Sequence, residues 1–376
     1  MIGYTLFAIG LLWLGFSYVG YPVLLTVLAR VFHNPWARET HQPSVIVYLA
    51  AFNEGSNIAE KIRSILAQSY SGEMAIVVAD DGSTDDTKTA AEQALGHSGW
   101  VVRSQENIGK TAMQNLVVPT LTSEVVIFTD ATGTWPPGLV EKLVTHFADQ
   151  DVGCVGPDVS IASPNPDSVG ANQSLYWKME SMLRKAGAEI WTNVVVSGTC
   201  YAIRRELFRP LPAEIAEDLG TPLQIALSGK RVVFDPEIVV VDVGTDSTAQ
   251  ESRMRRRIAL QNLTAVFWSW RKLRNANPFA VFQFFSHKFL RSFNWLAMIL
   301  LLVGNLLLLQ TSVIFAGILV AQLTAYLLAA LGIVLNRSGL KLFSVPRYFM
   351  LLNFSYALAM FDFCVGRRMA RWNTER

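Results

Sequence analysis

Charge is scarce in this chain: Asp, Glu, Lys and Arg supply 16% of its 376 residues against 51% hydrophobic residues, a balance too apolar for an ordinary soluble protein. A membrane protein is the reading that fits. Cysteine is scarcer still. Cys154, Cys200 and Cys364 are the three present, too far apart for a disulfide framework, and neither a Cys-x-x-Cys pair nor a His-Glu-x-x-His signature occurs, which excludes a structural zinc site. Low-complexity tracts and internal repeats are missing too, and with 11% aromatic residues this argues against disorder and against a solenoid. The net charge of +2 averages over unlike regions and by itself selects no partner.

What is there begins with long charge-free runs. Met1 to Ala29 contains no Asp, Glu, Lys or Arg, more than the roughly 20 residues needed to cross a bilayer. It starts neutral and is followed by Arg30, His33 and Arg38, the reverse of a cleaved secretory signal, so it reads as an uncleaved anchor. A second run, Ser292 to Asn336, is about twice the minimum span, with Gln310 and Thr311 at a turn, and predicts a helical hairpin. A third apolar block, Tyr348 to Gly366, is interrupted by Asp362. Basic residues after the first run, and Lys288 and Arg291 before the second, place the intervening segment in the cytoplasm, with a multi-pass anchor in the cell inner membrane. A full third span after the domain would export Arg367, Arg368 and Arg371, which the same rule disfavours, so the last block either spans or lies in the interface.

Between the runs, apolar strands alternate with amphipathic helices. Ser44 to Ala50 and Ala75 to Ala79 read as buried parallel strands, with a short strand near Val101 and another from Val125 to Phe128. Helices fall between them, with Ile58, Ile62, Ile65 and Leu66 at helical spacing, a helix from Thr84 to Leu95 and another from Gly109. The succession predicts a doubly wound α/β sheet. Past Asp246 the chain turns basic and aromatic, and Leu263, Phe267, Trp270 and Leu273 mark an amphipathic helix suited to the headgroup layer. The expected units are residues 1–36, an N-terminal transmembrane helix and its flank; 37–246, the α/β domain; 247–291, interfacial helices; and 292–376, a membrane region of two to three spans.

Ligands of open α/β sheets sit beyond the carboxyl ends of the strands, so polar residues just after apolar runs carry the information. Phe52-Asn53-Glu54 follows the first strand, Asp80-Asp81-Gly82-Ser83-Thr84-Asp85 the second, and Thr129-Asp130-Ala131-Thr132 the strand after Val125; Glu217-Asp218 lies far downstream. Ser83 also fits a helix cap, and so does Asp218 before a helix from Leu223 to Leu227. Capping leaves Asp80 and Asp81 unexplained, since adjacent carboxylates repel unless something is bound between them. Asp130 ends a run too apolar to face solvent and needs a donor or a hard cation such as Mg²⁺ or Mn²⁺. Asn107-x-Gly109-Lys110 offers helix N-terminal N–H groups and an ammonium to a phosphate.

Taken in order, FNE, DDGSTDDT, NIGK, TDAT, SGTCYAIRRELF and EDLGTPL resemble the inverting family 2 glycosyltransferases of GT-A fold, in the membrane-embedded branch near cellulose, hyaluronan and poly-N-acetylglucosamine synthases. The resemblance covers Gln42 to Val243. It implies an α/β GT-A nucleotide-sugar-binding domain inserted between an N-terminal transmembrane helix and a C-terminal helical membrane region. It further implies Ala51, Glu54, Asp80 and Asp81 around the nucleoside, Lys110 nearby, and Asp130 on a metal-diphosphate, with Asp218 as catalytic base. Gly198, Thr199, Cys200, Glu217 and Arg257 would line the sugar and acceptor pocket, with Arg204 and Arg205 behind it. Two departures stand out. Many relatives have Asp-x-Asp where this chain has Asp130-Ala131-Thr132, so Mg²⁺ or Mn²⁺ would be weakly held by Asp130 and Thr132. Processive relatives carry Gln-x-x-Arg-Trp where this chain has Arg253-Met-Arg-Arg-Arg257-Ile258, so a short or singly extended product is expected, with Arg255, Arg256 and Arg257 gathered at a lipid phosphate.

The function implied is transfer of a sugar from a nucleotide sugar, a UDP-sugar by preference, to a lipid-linked or growing glycan acceptor in cell-surface polysaccharide synthesis. The bilayer is an expected partner and nucleic acid is not. Transfer of one sugar to a polyprenyl phosphate or sphingolipid, and a catalytically silent nucleotide-sensing subunit, remain alternatives at this point.

Overall fold

The structure is a computed structural model and describes residues 1–162, 169–243, 248–334 and 341–371. The boundary expected after residue 246 and the hairpin end at Asn336 lie outside the described residues.

Seven strands form one sheet in the order β3-β2-β1-β4-β6-β5-β7. They are β1 (Val45–Ala51), β2 (Met74–Asp80), β3 (Gly99–Arg103), β4 (Val125–Asp130), β5 (Val152–Ala162), β6 (Cys200–Arg204) and β7 (Arg231–Val243). Both faces of β1 are covered, so its run VIVYLAA is buried throughout. Alternate residues divide two cores. Val45, Val47 and Leu49 pack under α3 (Ile58–Leu66), α4 (Thr87–Leu95) and α6 (Leu139–Thr145), while Ile46 and Tyr48 pack under α5 (Lys110–Val117) and α8 (Glu217–Leu227). Strands β1 to β4 are parallel to one another, but β6 runs antiparallel to both β4 and β5, so the sheet is mixed, in the GT-A manner. That reversal matters for the site. The start of β6, not its end, lies beside the carboxyl end of β4, where Cys200 pairs with Thr129.

Two helices are long and apolar enough to be candidate membrane spans, Ile2–Val31 and Val313–Ile333. The first comprises α1 (Ile2–Gly15), a π-helical stretch Phe16–Gly20 and α2 (Tyr21–Val31). A bent pair, Pro278–Ser292 followed by Asn294–Leu308 at 60°, makes a third candidate if counted as one span. Glycines let α1 and α12 (Asn294–Leu308) approach closely: a Cβ on Gly10 would strike the Ala297 carbonyl and Leu301, and one on Gly304 would strike the Phe7 backbone. Small residues are what allow such contacts between apolar helices, where burial from water offers little drive. After the expected turn at Gln310 and Thr311, α13 (Val313–Val334) comes back past α1, its Phe315 ring edge-on to Phe7.

The last block, α14 (Lys341–Cys364), is not one of these candidate spans. It packs along α9 (Thr248–Ser269), joined by Asn262–Tyr356 and by a bidentate Arg256–Asp362 pair, and Gln261 then holds the Met369 carbonyl. Beyond α14, Ala370 and Arg371 lie against Gly109 and Glu106 of the α/β domain, and Arg367 pairs with Asp362.

Candidate active site

The polar clusters converge on one edge of the sheet. Asn53 follows β1 with φ of 54°, the single non-glycine residue with positive φ among those described, a conformation that asparagine tolerates better than most residues. From there its N–H donates to Ser83 Oγ, and its side chain accepts from the Thr84 N–H, tying the loop after β1 to the loop after β2. Ser83 is thus used between loops and does not cap α4, which starts at Thr87 with Asp85 accepting from the Thr87 N–H. Glu54 turns toward the start of α3, where its carboxylate accepts from Asn57. The Asp80–Asp81 pair is resolved within the protein. Asp80 accepts from the Ser83 N–H and lies 3.3 Å from Arg103, whereas Asp81 accepts from the N–H groups of Ile108 and Gly109 at 2.7 and 2.8 Å. The N–H groups offered by Asn107-x-Gly109 therefore hold Asp81, not a phosphate. Burial still pushes the Asp81 carboxyl up from the usual carboxylate range against those two hydrogen bonds.

Lys110, next on α5, reaches toward the end of β4 and the start of α8. Its ammonium lies 2.7 Å from Asp130 and 2.6 Å from Glu217, and it also donates to the Gly198 carbonyl. Burial pulls its pKa down, but the two carboxylates more than offset this and hold it above the usual lysine value. Lys110 is a bridge between the end of β4 and the start of α8.

Asp218 stands beside that bridge. A Cβ placed on Gly198 would sit 3.5 Å from both Asp218 and Glu217, so glycine there leaves both carboxylates approachable. Helix α8 begins at Glu217, which puts Asp218 in the first turn and not in the capping position. Pro222 explains how it is fixed: having no N–H, it leaves the Asp218 carbonyl without its partner in the helix, and the Val196 N–H takes it instead at 3.0 Å. Burial and then Glu217 raise the Asp218 carboxyl to about 6, against the pull of Lys110, Lys288 and Arg184. A carboxylate tuned toward neutrality in this way is poised for proton transfer. Arg257 reaches in from α9, its guanidinium in the field of Glu217, Asp130 and Asp218 and its Nε buried without an acceptor.

Thr132 hydrogen-bonds to Asp242 at the end of β7, and Thr199 donates to the other oxygen of the same carboxylate at 2.9 Å. Asp242 is the site residue that the motifs miss. It obeys the same strand-end rule, since β7 is parallel to β5 and delivers it to the same edge. Lys61 of α3 is a second: it is 2% exposed, it donates to the Gly133 carbonyl, and burial pushes its amine down to about 8, with Cys200, Asp130 and Asp242 opposing.

Three expectations fail here. Cys200 is fully buried in the core under β4 and does not line the pocket. Arg204 and Arg205 lie at the opposite end of the sheet because β6 is antiparallel, and they hold the carbonyls of Phe147, Asp149, Val152 and Ser123. Of the arginines expected to gather at a lipid phosphate, Arg255 lies over Tyr348 and Arg256 pairs with Asp362, so Arg257 alone of the three reaches the site.

Residues 46–211 match the model of the Glycosyl transferase family 2 family. This chain carries a family 2 glycosyltransferase domain. Similar curated proteins include an N-acetylglucosaminyltransferase of Rhizobium meliloti (strain 1021), 24% identical over 64% of this chain and 61% of the relative. Another, of Bradyrhizobium diazoefficiens, is 25% identical over 61% of this chain and 51% of the relative. The chain thus spans little more than half the length of these relatives. Among solved structures, a mannosyltransferase from Pyrobaculum calidifontis, in complex with GDP-Man and Mn²⁺, superposes with a TM-score of 0.74 at 23% identity, covering 95% of this chain and 98% of that one. The shared fold therefore includes the apolar helices as well as the glycosyltransferase domain.

Ala370 and Arg371 border the same end of the sheet. The Ala370 carbonyl lies where a Cβ on Gly109 would be, and Arg371 lies 3.7 Å from Glu106 and in the field of Asp81. Truncation after Gly366 is expected to raise the donor KM by about tenfold, equal to about 1.4 kcal/mol of lost contact, with kcat less affected. Steady-state kinetics with the donor varied would check it, and an unchanged KM would separate this segment from the nucleoside side.

Proposed function

We propose that the chain transfers a sugar from a nucleotide sugar, a UDP-sugar by preference, to a hydroxyl of a lipid-linked or growing glycan acceptor, with inversion. The observation that carries this reading is Asp218, a carboxylate raised to about 6 and set beside the Glu217–Lys110–Asp130 bridge. In it, Asp218 takes the hydroxyl proton as the acceptor oxygen attacks the anomeric carbon. The bond to the diphosphate breaks, and the nucleoside diphosphate leaves with the electron pair. A single displacement inverts the centre. Asp81, with Ala51 and Glu54 beside it, faces the nucleoside, while Gly198, Thr199 and Glu217 border the sugar.

The residues fit a divalent cation as a half-site. Asp130 Oδ1 is held by the Lys110 ammonium at 2.7 Å, a cation that a metal would replace, and Thr132 links the loop to the second carboxylate, Asp242. Among the described residues no three such ligands converge, so the donor's diphosphate and water would complete the shell. When bound, Mg²⁺ or Mn²⁺ would neutralise charge on the departing diphosphate. Lys110 and Arg257 supply positive charge to the same place and exchange partners as the donor enters.

The decisive experiment is nucleotide release from a panel of UDP- and GDP-sugars by the purified chain in detergent. Release confined to one donor and lost in Asp218→Asn supports the reading; absence of release with every donor and with membrane lipid extract added contradicts it.

The domain is proposed to face the cytoplasm, from the basic flanks of the apolar helices. A cysteine introduced at the exposed His97, in a background where the exposed Cys364 is Ser, is expected to react with an impermeant maleimide in permeabilised cells alone. Labelling in intact cells would invert the topology.

A further inference from the structure

The glycosyltransferase domain meets the apolar helices at a buried polar cluster that the transfer chemistry does not use. Glu180 on α7 (Val169–Ile190) is 3% exposed and pairs with His287 and Arg291. His287 and Lys288 lie on a π-helical stretch, Phe284–Phe289, and Tyr21, in the first candidate span, stacks on the His287 ring at 5.7 Å. Such π-turns are uncommon and recur at functional sites. One turn along α7, Arg184 is 9% exposed. Its guanidinium lies over Trp177 at 5.8 Å, and its Nε has no acceptor.

Arg291 thus has its carboxylate, but among the described residues neither Arg184 nor Lys288 has one within ion-pair distance. Both lie within electrostatic reach of Asp218, yet among the described residues neither forms an ion pair with it. A buried guanidinium without an anion is costly, which makes an anionic partner from outside the chain the natural complement. The cations beside Asp130, where the proposed reading puts the donor's diphosphate, are Lys110 and Arg257, which leaves Arg184 and Lys288 for another anion.

We infer that Arg184 and Lys288 seat a phosphate carried by the acceptor, at the junction of the glycosyltransferase domain with the apolar helices. The acceptor is then a lipid phosphate or diphosphate whose sugar hydroxyl reaches Asp218 while its tail lies along the helices. The inference rests on the glycosyl-transfer reading and narrows its acceptor class. Its chemistry is charge-assisted: a guanidinium forks to two phosphate oxygens and an ammonium meets a third.

The test uses the full chain in detergent micelles, with UDP and Mn²⁺ at saturation so that the donor's diphosphate site is filled. Calorimetric titration compares farnesyl diphosphate, farnesol and inorganic pyrophosphate. Farnesyl diphosphate is expected to bind at least about tenfold more tightly than farnesol, and Arg184→Gln and Lys288→Gln each to weaken it by about tenfold, the worth of one hydrogen bond to a charged group. Arg271→Gln, at an exposed position of the basic segment, is expected to leave it unchanged. Equal binding of farnesol and farnesyl diphosphate, or wild-type affinity in both variants, would overturn the inference. Pyrophosphate binding as tightly as farnesyl diphosphate would overturn its lipid part and assign a soluble phosphorylated acceptor. The wild-type comparison needs no variant to fold, and nucleotide release in the same preparation tells a failure of this seat from a failure of the transfer reading.

Discussion

Asp218→Asn is expected to lower kcat by about 10²–10⁴-fold, the usual contribution of a positioned base, with donor affinity largely kept. The substitution preserves size and the backbone bond from Val196, and it removes only the proton acceptor. A second signature follows from the raised carboxyl. Only the ionised form can accept the proton, so with a pKa of about 6 the wild-type rate should fall about tenfold per unit as pH drops below that value, and Asp218→Asn should lose this limb. Stability moves the other way. An acid whose folded pKa lies above its unfolded value binds more protons when folded, so stability falls as pH rises from about 4 to about 6 and stays lower at neutral pH. Asn has no such dependence, so the inactive variant is expected to unfold at a higher temperature than wild type at pH 7. Turnover within about tenfold of wild type would assign the base elsewhere, given that contribution; an inactive variant with a lowered Tm would mark Asp218 as structural.

The sheet was legible because its inner strands are continuous apolar runs that end in polar residues: VIVYLA before Asn53, AIVVA before Asp80 and VVIF before Asp130. Each of those runs is a strand within a residue or two of its expected bounds. What periodicity could not show was direction. Nothing local distinguishes β6 from a parallel strand, and this one reversal carried Arg204 and Arg205 to the wrong end of the sheet. Helix α8 begins at Glu217, ahead of the expected Leu223, and runs through Pro222. In the folded chain the missing hydrogen bond is made good by Val196, which sequence spacing does not reveal. Asp242 was within reach of the strand-end rule applied to VVVDV. Arg184 and Lys288 were not, because their significance lies in carboxylates that they fail to meet across about a hundred residues of chain.

Asp130→Asn is the other change with a large expected effect, because in the proposed reaction it removes the carboxylate nearest the departing diphosphate. Neutralising the leaving group is worth several kcal/mol in such sites, so a loss of at least about 10²-fold in kcat/KM is expected at any Mn²⁺ concentration. Asp242→Asn should behave differently. Asp242 reaches the half-site beside Thr132 and Thr199, so its loss should raise the Mn²⁺ needed for half-maximal rate by about tenfold, one weakened charged contact, with the maximal rate recovered at high metal. Thr132→Asp should move that midpoint down, since a second carboxylate joins the shell, and it should make the metal-free protein less stable by setting two like charges side by side. Metal titrations of the rate, paired with Tm with and without Mn²⁺, read both effects. Full wild-type activity in excess chelator would remove the metal from the reaction and leave Lys110 and Arg257 as the whole of the charge facing the diphosphate. In that event Lys110→Met, which strands Asp130 and Glu217 without their shared cation, becomes the variant with the larger loss.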